Sequence, residues 1–259
     1  MKTYPLTKLL TFPSLSAFLG ANLALTPITL PAAAQTTPVS SVGNGVTFTC
    51  NDTEATIRAK NGPRVTFGTT SIYIGYQQVS SSNKDPRIIR FDSGVRKWCR
   101  SDYENTGDDG TGYGLIWNGS TASTGVLYGI FSSTGTQIGP NFTRFTSGRW
   151  LPGYGTGGGP KVAIIARIDP TNGNIQYATY LSARKTSDGK TNSLAVKGLS
   201  WNGTTLTVQA DSFFSPRRVD TSSMICTGSS PFKYTIVFTG DLTKANSAQV
   251  TKTTTNSCQ

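Results

Sequence analysis

The densest group of acidic residues lies in segment 102–110, which reads DYENTGDDG. Its carboxylates belong to Asp102, Glu104, Asp108 and Asp109. Closely spaced oxygen ligands on a glycine-bent loop suit Ca²⁺, which takes about six to eight of them. The spacing fits a known calcium loop only in part, and the glutamate that closes such a loop is missing. We therefore interpret the segment as a solvated acidic turn, with calcium binding as the weaker alternative and no other cofactor expected.

A long connector, residues 144–160, combines aromatic residues with many glycines and reads RFTSGRWLPGYGTGGGP. If its rings are exposed, Trp150 and Tyr154 beside Arg149 would stack on sugar rings or enter the groove of a partner. The alternatives are an ordered loop with Trp150 in the core and a flexible glycine linker. Because long loops inside domains are often functional, we take Arg149, Trp150 and Tyr154 as candidate partner-binding residues.

The chain contains no histidine, and this excludes a Ser–His–Asp triad, a Cys–His pair and a His-ligated zinc site. A pair of carboxylates for glycoside hydrolysis remains possible in principle. Asp92, Asp169 and Asp241 follow strand-like segments, where an aspartate caps the turn. Since nothing singles out a catalytic pair, we assign no catalytic residue and expect a protein that is not an enzyme.

The elements that carry these residues are short and β-like. The apolar segments are rich in Ile, Val, Thr, Tyr and Phe, several alternate with period two, and Gly, Asn, Asp and Pro separate them. No stretch keeps a helical apolar pattern over ten residues. The sequence therefore predicts an all-β, antiparallel fold.

A weak internal repeat organises these strands. The first unit runs through residues 72–76, 88–92 and 95–99 to the hairpin sequence Trp-Asn-Gly at 117–119. The second runs through residues 126–131, 164–169 and 175–181 to the same three residues at 201–203. A third, less complete unit contains residues 206–210 and 232–238. Chance similarity between hairpins is the alternative, so we expect two to three weak repeats.

The second unit, KVAIIARIDPTNGNIQYATYLS at residues 161–182, resembles the bacterial SBBP-type β-propeller repeat, whose blades contain an FVAKLDPSG…YSTYLGG core. The resemblance covers roughly residues 161–210. It implies a propeller-like, extracellular β-repeat protein and carries no catalytic residues. The chain departs from the family's pattern in two ways. Its repeat is longer than the family's compact blade, and an Arg-Lys-Thr-Ser-Asp-Gly turn replaces the family's glycine turn. Three blades are too few to close a propeller, so another sheet-based barrel or sandwich is equally open.

The N-terminal segment and the cysteines predict export. Residues 1–34 have the features of a signal peptide: Lys2 and Lys8, an apolar stretch, and small residues up to a cleavage site near Ala34. Residues 35–45 are predicted as a flexible lead-in and residues 46–259 as one β domain. The even set Cys50, Cys99, Cys226 and Cys258 predicts two disulfides, for which proximity along the chain mildly favours the pairs 50–99 and 226–258.

The formal net charge is +11, but the basic residues form no long run, so we expect no nucleic-acid partner. No later apolar run is long enough to span a membrane. The hypothesis is therefore a secreted, periplasmic or extracellular, non-enzymatic β-repeat protein that binds a glycan or another envelope component. The alternatives are a structural matrix protein that self-associates through sheet edges and, third, a secreted carboxylate-dependent hydrolase. The sequence does not predict an oligomeric state.

Overall fold

Antiparallel strands dominate the fold, as the sequence predicts. The computed structural model describes residues 37–119 and 124–259, which belong to a compact unit from Thr36 to Gln259. In chain order the strands are β1 Val39–Val42, β2 Val46–Thr47, β3 Arg64–Phe67, β4 Thr70–Ser80, β5 Asn83–Asp92, β6 Val95–Arg100, β7 Thr111–Asn118, β8 Val126–Ser133, β9 Val162–Ile168, β10 Ile175–Leu181, β11 Ala183–Arg184, β12 Thr191–Asn192, β13 Leu194–Trp201, β14 Thr205–Ser212, β15 Cys226–Thr227, β16 Phe232–Thr239, β17 Ala245–Val250 and β18 Ser257–Cys258. A helix, α1, covers Glu54–Ala59, and a 3₁₀ turn covers Phe142–Phe145.

Three sheets form the body of this unit. The N-terminal sheet has the order β2-β4-β5-β6, with β3 also paired to β4, and the central sheet has the order β1-β7-β8-β9-β10. The C-terminal sheet has the order β13-β14-β16-β17. All these pairs are antiparallel except β2 with β4. None of the sheets in the described part of the chain closes into a barrel.

The central sheet is buried on both faces, and strand β9 shows how. Ile164, Ala166 and Ile168 join a core shared with the N-terminal sheet, whereas Ala163 and Ile165 join a core shared with the C-terminal sheet. Because successive side chains of a strand point to opposite faces, one continuous apolar strand serves two cores. The three sheets therefore form a stack with the central sheet in the middle, which is a sandwich of sheets.

The repeat predicted from the sequence coincides with this stack. Each sheet contains a three-stranded meander, namely β4-β5-β6, β8-β9-β10 and β14-β16-β17. The strands that carry Trp117 and Trp201, β7 and β13, follow the first and second meanders and pair with the first strand of the next one. The third unit, β14-β16-β17, has no such strand after it among the residues described.

Helix α1 covers the outer face of the N-terminal sheet. It begins at Thr53, whose side chain accepts a hydrogen bond from the Thr56 amide, and Glu54 pairs with Arg58 at 2.7 Å. Ile57 is its buried residue and packs with Tyr73 and Phe91. No helix within the described residues is long and apolar enough to cross a membrane.

Two disulfides bind the edges of this structure. Cys50 bonds to Cys99, which joins the segment before α1 to β6, and Cys226 bonds to Cys258, which joins β15 to β18. This is the pairing that proximity along the chain favours. Disulfides persist in oxidising compartments and are rare in the cytosol. The predicted signal peptide lies outside the described residues.

One segment differs from the sequence prediction. Residues 39–42, which belong to the predicted flexible lead-in, form strand β1 on the edge of the central sheet, with Val39 opposite Trp117 and Val42 opposite Gly114. The physical reason is that β7 would otherwise be the edge strand there, with unpaired backbone groups. Two β-branched valines suit that position, although the strand is too short to be recognised by its pattern.

Candidate functional site

The three sheets border a common groove of about 520 Å³. The loop between β1 and β2 forms one side, the ends of β7 and β8 form the floor, and β13 forms the other side. The residues that line it are Val42, Gly43, Asn44, Gly45, Tyr76, Lys84, Thr111, Tyr113, Ser132, Lys161, Leu194, Ala195, Val196 and Lys197. Because all three sheets contribute, the groove exists only when the stack is assembled.

Three lysines give this groove its charge. Lys84 lies near the start of β5, Lys161 directly precedes β9, and Lys197 lies on β13. Lys197 approaches Asp211 at 4.0 Å, but that carboxylate already pairs with Lys233 at 2.6 Å. Lys84 and Lys161 have no carboxylate within 4.0 Å among the described residues. The groove therefore carries positive charge that the protein itself leaves largely unneutralised.

Two tyrosines supply aromatic and hydrogen-bonding surface between the lysines. The Lys84 ammonium lies 5.1 Å from the centre of the Tyr76 ring, within the range of a cation–π contact. The Tyr113 hydroxyl accepts a hydrogen bond from the Val196 amide at 3.3 Å and thereby connects the central and C-terminal sheets. Burial raises the pKa of Tyr113, so its hydroxyl remains neutral.

A close backbone approach fixes the side of the groove formed by the β1–β2 loop. A Cβ atom on Gly45 would lie 2.4 Å from the Thr111 side chain and 2.6 Å from the Gly112 carbonyl oxygen. Only glycine allows the loop to lie this close to β7. The loop is therefore held against the floor, and the groove is a built feature of the fold.

The four carboxylates of the predicted calcium site are directed to different partners. Asp102 accepts two hydrogen bonds from Arg100, at 2.7 and 2.8 Å, and Asp109 accepts one from the Lys84 amide at 3.1 Å. Asp108 accepts a hydrogen bond from the Gln137 backbone amide at 2.7 Å. In the described residues no group of three or more potential ligands is placed to hold a metal. The segment is thus a hydrogen-bonded loop rather than the exposed, solvated turn that we expected, because Glu104 and Asp108 are buried.

Glu104 is the most perturbed carboxyl of that loop. It is only 1% exposed, and one oxygen accepts hydrogen bonds from the amide and hydroxyl of Thr106, at 2.7 and 2.5 Å. The other oxygen is buried, and no donor among the described residues reaches it. Burial raises the pKa of Glu104 to about 7; the charges of Asp85 and Asp108 add to this effect, whereas Thr106 opposes it. Glu104 is therefore largely protonated in mildly acidic solution.

Two of the three predicted partner-binding residues lie in the interior. Trp150 packs edge-on against Phe238 at 5.2 Å and donates its indole N–H to the Val219 carbonyl at 2.7 Å. Tyr154 is 1% exposed and donates to the Pro160 carbonyl at 2.6 Å. Neither ring offers a free face to a sugar or a partner, which corrects that expectation. Only Arg149 is partly exposed.

The sequence did not identify the groove lysines as a site. They lie far apart along the chain, and the strands that bring them together belong to three different sheets.

No family model matches the chain, and neither a curated protein nor a solved structure shows significant similarity to it.

Proposed function

We propose that this chain is an exported, non-enzymatic protein that binds an acidic glycan in the groove between its three sheets. The observation that carries the proposal is that Lys84 and Lys161 face a groove of about 520 Å³ without a carboxylate partner among the described residues. Unpaired ammonium groups attract an anionic chain, and tyrosine rings provide surface for sugar rings between them. The lining residues supply cations and hydroxyl groups, which are suited to binding rather than to hydrolysis.

The two disulfides support an extracellular or periplasmic location, where acidic polysaccharides of the cell envelope are accessible. The propeller-type resemblance supports the same location. The proposal also replaces the role predicted for Trp150 and Tyr154, because their rings support the fold while Tyr76 and Tyr113 lie in the groove.

Titration calorimetry with polygalacturonate, and with dextran as the neutral comparison, tests the proposal on the protein without residues 1–34. We expect binding of polygalacturonate at low salt that weakens as salt rises, because salt screens exposed charges. Replacing Lys84 and Lys161 together with Gln should weaken binding by about tenfold or more, which corresponds to about 1.4 kcal/mol.

The matched control is the double replacement of Lys97 and Lys244 with Gln. Both lysines are exposed and neither lines the groove, so the net charge changes equally. If the control loses as much affinity as the groove variant, general attraction to a basic protein explains the binding and the groove has no role. Absence of polygalacturonate binding at low salt would also refute the proposal.

A further inference from the structure

A second cluster of cationic and aromatic residues lies at the opposite end of the central sheet. The register of β8 with β9 places Ser132 opposite Ala163 at the groove end, and Tyr128 opposite Arg167 near the other end. Arg149, from the connector before β9, joins this second cluster through Tyr177 of β10. The cluster is therefore separate from the groove.

Each of the two arginines lies against one ring of a tyrosine pair. The guanidinium carbon of Arg167 lies 5.1 Å from the centre of the Tyr128 ring, and that of Arg149 lies 4.5 Å from the centre of the Tyr177 ring. Both tyrosine hydroxyls donate to the same acceptor, the Gly240 carbonyl oxygen, at 2.5 and 3.1 Å. Burial raises the pKa of Tyr177, and the charges of Arg167 and Arg149 both oppose that rise, so both guanidinium groups lie close enough to act on this one side chain.

No carboxylate in the described chain pairs with either arginine. The charge of Asp241 acts on both tyrosines. Arg149 donates to its backbone carbonyl at 3.1 Å, whereas its carboxylate accepts bonds from Thr239 and Thr243 in its own turn. The Nε atoms of both arginines are buried, and no acceptor in the described part of the chain reaches them. Two partly exposed cations without an ion-paired carboxylate among the described residues attract an anion to this position.

The repeat provides an internal comparison. In the first unit the sequence Arg-x-Asp forms a bidentate ion pair, because Arg90 donates to both oxygens of Asp92 at 2.8 and 2.7 Å. In the second unit the same spacing occurs, but Asp169 accepts hydrogen bonds from Thr171 and Asn172. Arg167 is therefore released from the partner that its counterpart has, and it stacks on Tyr128 beside a second arginine.

We propose that Arg149 and Arg167 form a second anion-binding site, which takes a tetrahedral oxyanion such as a sulfate or phosphate ester. The planar forks of two neighbouring guanidinium groups match the oxygens of such a group better than ammonium groups do. The stacked tyrosines fix the orientation of the forks, so little side-chain freedom is lost on binding. The site is independent of the lysine groove and of the glycan proposed for it.

The test follows the arginine side-chain N–H signals by NMR while sodium sulfate or sodium phosphate is added, with sodium acetate and sodium chloride at equal ionic strength as references. We expect the Nε–H signals of Arg149 and Arg167 to shift saturably with sulfate or phosphate. Saturation with sulfate alone would indicate a sulfate ester as the natural group, and saturation with phosphate a phosphate ester. Equal shifts with all four salts would overturn the site.

Variants that retain the positive charge distinguish specific recognition of the anion from general electrostatic attraction. Arg149→Lys, in a partly exposed loop, should weaken sulfate binding about tenfold, and Arg149→Lys with Arg167→Lys should abolish saturation. Arg144→Lys is the matched control, because Arg144 stacks on the single ring of Phe145 at 4.9 Å without a second arginine. Unchanged affinity in Arg149→Lys, or equal loss in the control, would overturn the proposal. The groove variant of Lys84 and Lys161 should keep its sulfate response, so the two proposals fail separately.

Discussion

Replacement of Glu104 with Gln should make the protein more stable at alkaline pH. The native pKa of about 7 lies above the ordinary glutamate value of 4.5. The native state therefore keeps the proton to higher pH than the unfolded chain does, and stability falls as pH rises from about 4.5 to 7. Above that range both states are ionised and the loss is complete.

The size of the effect follows from the difference between these two pKa values. One pKa unit corresponds to about 1.4 kcal/mol, so the full loss is about 3 kcal/mol, most of which falls between pH 5 and pH 8. This is a large part of the roughly 5–15 kcal/mol that stabilises a typical domain. A glutamine keeps an oxygen for the Thr106 amide and hydroxyl and removes the charge.

The assay is urea denaturation of both proteins at several pH values from 5 to 8. The difference in unfolding free energy between Glu104→Gln and the original protein should grow by about 2–3 kcal/mol across this range. Glu54, the other glutamate, provides a control because its pKa is shifted in the opposite direction. Partial burial acts to raise its pKa, but hydrogen bonds from Arg58 and Tyr73 outweigh burial and lower it. Glu54→Gln should therefore destabilise the protein at neutral pH. A pH-independent difference for Glu104→Gln would refute the reasoning.

Three further predictions concern the fold. Replacing Cys50 and Cys99 with Ser should lower the unfolding free energy by about 4 kcal/mol, because the bond closes a loop with a sequence separation of 49; an unchanged urea midpoint would contradict this. Trp150→Ala should cost about 3–5 kcal/mol in the same assay, whereas a surface binding residue would cost under about 0.5 kcal/mol. Gly75→Ala should cost about 1–3 kcal/mol, since its Cβ would lie 2.1 Å from the Val46 carbonyl oxygen. Gly153→Ala, with open space around it, is the control and should be nearly neutral.

Much of the fold could be read from local patterns. The alternation of apolar residues identified the main strands, and the recurrence of Trp-Asn-Gly identified the strands that begin a new pairing, β7 and β13. These features are local because a strand shows its period within a few residues. The disulfide pairs also followed from proximity along the chain.

The candidate sites could not be read in the same way. Lys84 and Lys161 meet only because separate sheets stack, and nothing within a few residues of either lysine signals this. Trp150 lies in a glycine-rich connector, where composition does not distinguish a ring that fills a core from one that faces solvent. Arg90 and Arg167 have the same local sequence spacing but different partners, because their surroundings differ in the stack.

The stack has a consequence for how such a protein could lengthen. Strands β7 and β13 each follow the preceding meander along the chain and pair with the first strand of the next one, so duplication of one repeat would add one layer without rearranging the others. The free face of the C-terminal sheet is the position where another layer would attach. Polar residues such as Thr207, Gln209 and Thr235 alternate there with the buried residues of β14 and β16. Exchanging these few residues for apolar ones would convert the last layer into an inner one, so the number of layers depends on the polarity of a single face.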